Sequence, residues 1–139
     1  MGKAEELAKA KAAGKFNNHL KSMVKMIIKY SPKDADIVGL ETALNVVVRA
    51  APMDIIQNAK ESGYFTKYAE FIISRNEDFF LGLDVSGEVA KHSTTSQESG
   101  KWIDIINKLK VQYTTMYTPA DKKTTWDTMN EMLTLINSY

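Results

Sequence analysis

The chain has 139 residues, enough for one domain with a core of its own. It contains no cysteine, which excludes disulfides, thiolate metal sites and cysteine nucleophiles. The net charge is +1, but the first 30 residues carry seven lysines against two glutamates, so a basic amino-terminal part is joined to a mildly acidic remainder. No apolar run approaches the roughly 18 residues that a membrane helix requires. We therefore expect a soluble, intracellular protein without membrane insertion.

The first predicted element is a helix with two parts. Residues 3–13 consist of Ala, Lys, Glu and Leu, which favour a helix, but they carry no apolar stripe, and Gly14 follows as an interruption. We predict that residues 1–15 form a basic, frayed helical extension of a domain that spans residues 16–139. Beyond this extension, apolar side chains recur at helical spacing and predict one buried face. They are Phe16, Leu20, Met23, Val24, Ile27 and Tyr30.

Three further helices are predicted in the first half of the chain. The second carries an apolar stripe from Ile37 to Ala51. The third begins at "APMD" and ends at Gly63, a residue suited to the left-handed position that follows a helix. The fourth is indicated by an aromatic and apolar stripe formed by Tyr64, Tyr68, Phe71 and Ile72.

The pattern then changes before two carboxy-terminal helices. The stretch "RNEDFFLGLD" has neither helical nor strand periodicity. Residues 84–100 are rich in Ser, Thr and Gly, which predicts a mobile loop, with room for a short helix near residues 86–91. Two strongly periodic helices follow, in which Trp102 and Trp126 are predicted core residues.

These elements define the predicted fold class. No stretch of useful length alternates with the period of a strand. The sequence therefore predicts an all-α protein of about six helices, with an N-terminal four-helix part and a C-terminal helical hairpin packed as one bundle-like domain. Neither part is large enough to be assigned as an independent domain.

A repeated block separates helices at two places, as "YSPKD" at residues 30–34 and "YTPAD" at residues 117–121. Ser31 and Thr118 are suited to cap a helix, because a hydroxyl accepts a hydrogen bond from free backbone N–H groups. A proline then falls at the first helical position, and an aspartate follows in the first turn, where its charge complements the helix dipole. We predict that both blocks are helix junctions with Ser31 and Thr118 as N-caps. Proline-directed phosphorylation of these residues is the alternative.

The sequence contains no recognisable catalytic or metal-binding motif. The two histidines, His19 and His92, are far apart, and neither has a second ligand at helical spacing. The stretch "NEDFFLG" lacks the ligand spacing of a calcium loop, and no phosphate-binding glycine motif is present. We predict a non-enzymatic protein without catalytic residues, metal or cofactor.

Two groups of residues are candidate binding surfaces. The first is an apolar segment bordered by acids, whose alternative role is to close the end of the core; it consists of Glu77, Asp78, Phe79, Phe80, Leu81 and Leu83. The second is a lysine-rich part of the first helix, which offers charge for phosphate contacts or simply keeps an exposed helix soluble; it consists of Lys9, Lys11, Lys15, Lys21, Lys25 and Lys29. No arginine or interleaved aromatic residue accompanies these lysines, so base recognition is not expected.

Three stretches occur in a distinctive order: "KFNNHLKSMVKMIIKYSPKDADI", "RNEDFFLGLD" and "WIDIINKLKVQYTTMYTPADKKTTWDTMNEMLTLINSY". This order resembles small helical proteins encoded by nucleocytoplasmic large DNA viruses. The resemblance spans residues 16–139 and leaves out the lysine-rich residues 1–15. It implies a virus-encoded accessory or virion-associated protein, located in the host cytoplasm or the virion, and implies no mechanism. The matching positions are Phe16, Asn17, Leu20, Pro32, Glu77, Asp78, Phe79, Phe80, Leu81, Leu109, Lys110, Tyr113, Trp126, Leu133 and Tyr139.

Three functional hypotheses follow. The first is a protein-interaction module that acts on a protein partner through residues 76–83 or the C-terminal hairpin; the sequence leaves the partner and the oligomeric state open. The second is a nucleic-acid-associated protein that uses the lysine-rich helix. The third is a groove-forming helical bundle that resembles viral cell-death regulators, although their Asn-Trp-Gly-Arg signature is absent. The third hypothesis requires an apolar groove of the size of a helix.

Overall fold

The structure is a computed structural model that describes residues 2–83 and 96–139, with the backbone alone for residues 96–99, 101 and 102. These residues form eight α-helices and no strand, which confirms the all-α prediction. In chain order the helices are α1 (Lys3–Tyr30), α2 (Ala35–Ala50), α3 (Asp54–Ser62), α4 (Tyr64–Lys67), α5 (Ala69–Ile73), α6 (Glu77–Leu81), α7 (Ser96–Thr115) and α8 (Pro119–Ser138).

The number of helices exceeds the predicted six for two reasons. The fourth predicted helix is divided at Tyr68 into α4 and α5, and α6 forms inside the stretch that has no periodicity. A helix of five residues is too short to display an apolar stripe, so periodicity does not detect it. The predicted short helix near residues 86–91 and the core prediction for the Trp102 side chain lie outside the described residues.

The first helix is a single element of 28 residues. It passes Gly14 without a break, and Gly14 borders open space. Ala12 and Ala13 already pack in the core, so the packed part of α1 begins before the predicted boundary at residue 15. Leu7, one turn and a half earlier, is 69% exposed. Gly14 lowers the stability of the helix by about 1 kcal/mol relative to Ala, and the contacts of α1 with its neighbours offset this loss.

The core lies where α1, α3 and α8 meet. Phe16 is 1% exposed and contacts Phe65 edge to face, with ring centroids 6.3 Å apart. Helix α1 packs most extensively against α8, because each presents an apolar stripe of helical period. The side-chain amide of Asn17 donates to the Pro52 carbonyl oxygen at 2.8 Å, which ties α1 to the turn before α3. The other buried members of this cluster are Ala13, Ile56, Met132 and Ile136.

The second proline block has the predicted geometry. Thr118 is the N-cap of α8, and its hydroxyl oxygen accepts from the backbone N–H of Asp121 at 3.1 Å. Pro119 occupies the first position of the helix, where no N–H is needed. The prediction that Thr118 is an N-cap is confirmed.

The first proline block has a different geometry, and the prediction that Ser31 is an N-cap is wrong. Ser31 ends α1, and Asp34 is the N-cap of α2, with an oxygen that accepts from two backbone N–H groups at 3.0 and 3.3 Å. Residues 31–34 form a turn closed by the N–H of Asp34 and the carbonyl of Ser31 at 3.2 Å, with Pro32 in its second position. The Asp34 charge favours a helix N-terminus, while the Ser31 hydroxyl accepts from the Gln112 side chain at 3.0 Å.

The two proline blocks lie in contact, although about ninety residues separate them along the chain. The rings of Tyr30 and Tyr117 are stacked, with centroids 4.8 Å apart. The Tyr30 hydroxyl donates to the Asp121 carboxylate, and Lys29 donates to the same carboxylate at 3.2 Å. These donors hold the pKa of Asp121 below its usual value, with Tyr30 making the larger contribution. The two repeated blocks therefore also form a tertiary contact, which joins the ends of α1 and α7.

Helix α7 begins at Ser96, so the prediction of a loop up to residue 100 is wrong for its last five residues. Ser and Gly each lower helix stability by at most about 1 kcal/mol relative to Ala. A helix of 20 residues can include several of them when its remaining turns pack. The rest of the predicted loop, residues 84–95, lies outside the described residues.

Two glycine substitutions are expected to change stability in opposite directions. Gly63 has a φ of 73°, so Gly63→Ala is expected to cost about 1–2 kcal/mol. Gly14 lies inside α1, so Gly14→Ala is expected to stabilise the protein by about 0.5–1 kcal/mol. Each change adds a methyl group that meets nothing within 4 Å. The difference between the two changes in the free energy of unfolding therefore reflects backbone conformation. Urea denaturation measures both, and destabilisation by Gly14→Ala would contradict a continuous α1.

Candidate functional site

An apolar cavity of about 340 Å³ lies between the α6 segment, α7 and α8. Four of the six predicted partner-binding residues line it, and they are Glu77, Phe80, Leu81 and Leu83. The opposite walls include Leu109 and Tyr113 of α7 and Trp126 and Met129 of α8. The cavity is open on one side, and its surface is almost entirely apolar. The carboxy-terminal helices therefore enclose a space beside α6 instead of meeting along their whole length.

Local sequence explains why α6 forms next to α8. Arg75 adopts a left-handed backbone with φ of 55°, which ends α5 and redirects the chain. Asn76 then caps α6, since its side-chain oxygen accepts from the backbone N–H of Phe79 at 3.1 Å. The Arg75 guanidinium pairs with Asp127 on α8, and Lys123 donates to the same carboxylate at 2.8 Å. These pairs hold the pKa of Asp127 below its usual value, with the Lys123 hydrogen bond as the largest cause.

The two phenylalanines of α6 make their ring contacts within the protein. Phe79 stacks on Phe71, with centroids 3.7 Å apart and planes within 5°. Phe80 lies 5.7 Å from Trp126, centroid to centroid, and forms part of the cavity wall. Both rings are half-buried, whereas Asp78 is exposed. Phe80 thus forms part of the cavity wall, and Phe79 supports Phe80 from behind. The apolar surface that stays accessible near this pair is the surface of the cavity.

A chain of hydrogen bonds joins the three cavity walls. The Trp126 indole N–H donates to the Tyr113 hydroxyl at 2.8 Å, and that hydroxyl donates to the Glu77 carboxylate. At the edge of the cavity, the Lys110 ammonium donates to the Leu83 carbonyl oxygen at 2.6 Å. Burial, followed by the hydrogen bond to Glu77, raises the pKa of Tyr113 to about 12. The polar groups of the walls are therefore largely satisfied by one another.

Alkaline pH is expected to weaken the fold through two half-buried phenols. Burial is the main cause that raises the pKa of Tyr113 and of Tyr117 to about 12, from an ordinary 10.0. A raised folded-state pKa stabilises the protein fully below about pH 10, and this contribution is lost as the pH rises towards 12. Urea midpoints measured from about pH 8 to 11.5 are expected to fall. The double variant Tyr113→Phe/Tyr117→Phe should flatten the profile, and an equally steep fall in that variant would contradict the assignment.

The predicted lysine surface is divided in the structure. Lys9 lies against the Tyr139 ring, with its Nζ 5.2 Å from the centroid, and Lys29 pairs with Asp121. Lys21 is half-buried. The exposed lysines of the predicted set, apart from Lys29, are Lys11, Lys15 and Lys25.

The histidine that the structure describes lies in an ion-pair geometry. His19 Nε2 is 2.9 Å from the Glu131 carboxylate. Among the side chains of residues 2–83, 100 and 103–139, no group of three or more His, Asp or Glu is arranged to hold a metal ion. The helices within residues 2–83 and 96–139 are all too short or too polar to cross a membrane.

Sequence patterns identified the apolar stripes of α7 and α8 but not the space between them. Leu109, Tyr113, Trp126 and Met129 line the cavity, whereas the sequence placed them only on the two periodic helices of the predicted carboxy-terminal hairpin. Comparison with models of known protein families, with curated proteins and with solved structures finds no match to this chain. The resemblance to proteins of large DNA viruses therefore stays a prediction from the sequence.

Proposed function

We propose that this protein is a non-enzymatic, bundle-like helical module that binds a protein partner through α6 and the cavity beside it. The observation that carries the proposal is the cavity itself, which is apolar and open on one side. Concave apolar surfaces with a few fixed polar groups are the usual binding sites of small ligands, and desolvated pockets also receive the anchor residues of protein interfaces. An apolar side chain of the partner would enter the cavity, as buried anchors do in other interfaces. The acids Glu77 and Asp78 would favour basic residues around that anchor.

The test compares two charge insertions in neighbouring helices. Leu81→Asp places a carboxylate in the cavity wall, whereas Ile73→Asp places one on α5, at a side chain that is 64% exposed. Affinity capture from the native cell is expected to lose a specific partner with Leu81→Asp, by at least about tenfold, and to retain it with Ile73→Asp. Melting temperatures of both variants are measured in parallel. Equal capture by the wild type and a folded Leu81→Asp protein would overturn the proposal.

Nucleic-acid binding is a second candidate because three lysines of the predicted set besides Lys29 are exposed, namely Lys11, Lys15 and Lys25. Phosphate contacts of this kind weaken steeply with salt. Binding to duplex DNA or RNA at low salt is expected to fall when the three lysines are changed to alanine. Absence of binding at low salt excludes this function.

A groove for a partner helix is less well supported. A partner helix inserts anchors at i, i+3, i+4 and i+7 along an extended groove, whereas this site is one cavity of about 340 Å³. The cavity therefore suits one side chain better than a helix. As for origin, we infer from the sequence resemblance a virus-encoded accessory or virion-associated protein of the host cytoplasm or virion. Mass spectrometry of purified virions and infected cells tests that inference.

A further inference from the structure

The size of the cavity indicates what it can hold. An engineered protein cavity of about 150 Å³ lined by Leu, Ile and Phe stays dry and binds benzene. The cavity between α6, α7 and α8 has about 340 Å³, roughly twice that volume. A single benzene ring would leave much of it unfilled, and a group of two fused rings uses the space better.

The walls indicate the polarity of the occupant. Trp126, Tyr113 and Glu77 already hydrogen-bond in series, and Lys110 donates to the Leu83 carbonyl. A ligand with a buried charge would need a free partner of opposite sign. Glu77 and Lys110 place opposite charges at the same cavity, so neither sign of ligand charge is favoured by the pair as a whole, and the rest of the lining is largely apolar. A neutral molecule needs no such partner.

The side chains of the walls indicate aromatic character. Phe80, Tyr113 and Trp126 supply three aromatic rings, and aromatic groups gain from offset or edge-to-face contacts beyond the area they bury. Met129 adds a flexible thioether that adapts to ring edges. Phe80 is held in place by Phe79, with ring centroids 5.3 Å apart, and by Trp126. The wall is thus formed before any ligand arrives.

We propose that this cavity is a binding site for a small, neutral molecule with two fused aromatic rings. The site can be tested on the purified chain alone. One consequence rests on the proposed function: a bound molecule would occupy the space that the partner's apolar side chain needs, and would therefore inhibit partner binding.

Methyl NMR with indole as the probe tests the proposal. The chain has seven methionines, and in protein labelled with ¹³C at the methionine methyls, Met129 reports on the cavity. Met132, which is 2% exposed in the core of α1, α3 and α8, and Met116, which is 52% exposed on the surface, serve as internal references. Indole is expected to shift the Met129 signal in a saturable manner, with half-saturation in about the micromolar to low millimolar range for nine heavy atoms. The two references are expected to stay in place.

Two substitutions by the same residue provide the matched control. Leu109→Phe narrows the cavity from α7 and is expected to weaken indole binding as seen in the Met129 shift, whereas Leu7→Phe adds the same ring on the exposed surface of α1 and leaves the binding unchanged. An unperturbed Met132 signal shows that the Leu109→Phe protein keeps its core. If that signal is perturbed, Leu81→Phe is used instead, since it narrows the same cavity from α6.

Absence of a Met129 shift in the wild type at several millimolar indole overturns the proposal, as do equal shifts of Met129, Met116 and Met132. Neither result affects partner capture, which is measured separately with Leu81→Asp. Indole binding together with unchanged capture by Leu81→Asp would instead overturn the proposed function and leave the ligand site intact.

Discussion

Replacing Phe16 with alanine is expected to lower the free energy of unfolding by about 3–5 kcal/mol, the usual cost of removing a buried phenylalanine side chain. Phe16 is 1% exposed and belongs to the cluster shared by α1, α3 and α8. Its ring also contacts Phe65 in α4 edge to face. The substitution removes contacts with three elements at once and leaves a cavity that a closely packed core fills only in part. Urea denaturation monitored by circular dichroism measures the loss.

The matched control lies on the same helix. Leu7→Ala removes a large apolar side chain that is 69% exposed, so it is expected to change stability by no more than about 0.5 kcal/mol. A loss of similar size for Leu7→Ala and Phe16→Ala would contradict the placement of the core, because it would mean that the first turns of α1 are packed.

Replacing Trp126 with alanine is expected to cost about 3–5 kcal/mol as well. Trp126 is 6% exposed, packs against Phe80 and donates to the Tyr113 hydroxyl at 2.8 Å. Its loss removes the ring contact between Trp126 of α8 and Phe80 of α6 and enlarges the cavity at the same time. Thermal and urea denaturation give the free energy, and the alkaline profile of Tyr113 shows whether the hydrogen-bond chain survives.

A conservative variant separates packing from hydrogen bonding at this position. Trp126→Phe keeps an aromatic ring and loses the indole N–H, so it is expected to cost about 1–2 kcal/mol through the lost hydrogen bond and the smaller ring. If both variants cost the same, the N–H bond to Tyr113 would account for the whole effect and the ring packing for none. That result would contradict the role of Trp126 as the wall between α6 and α8.

The helix starts and ends show where local sequence is sufficient. Thr118 caps α8 and Gly63 adopts the left-handed position after α3, because a hydroxyl before proline and a glycine after a helix satisfy backbone groups within a few residues. Ser31 fails as a cap for a reason that lies outside its own block. Its hydroxyl is used by Gln112, which is distant in sequence, and Asp34 supplies an alternative cap three residues later.

The cavity shows where local sequence is insufficient. The apolar spacing of Leu109 and Tyr113, and of Trp126 and Met129, predicts that each helix has a buried face. The apolar periodicity of a helix carries no information on the distance between its buried face and that of another helix. Here the distance between the faces of α7 and α8 depends on how α6, with its cap at Asn76, separates them. A segment of five helical residues without a stripe thus forms one wall of the site.

The sequence by itself determined the helical class, the apolar faces of the long helices, the two proline junctions and the N-cap of one of them, since these depend on interactions among residues a few positions apart. Only the tertiary structure decided that Phe79 and Phe80 turn inward, that the two proline blocks touch, and that an apolar cavity lies beside α6. Each of these depends on contacts between residues that are distant along the chain, whose geometry is set by the packing of whole helices.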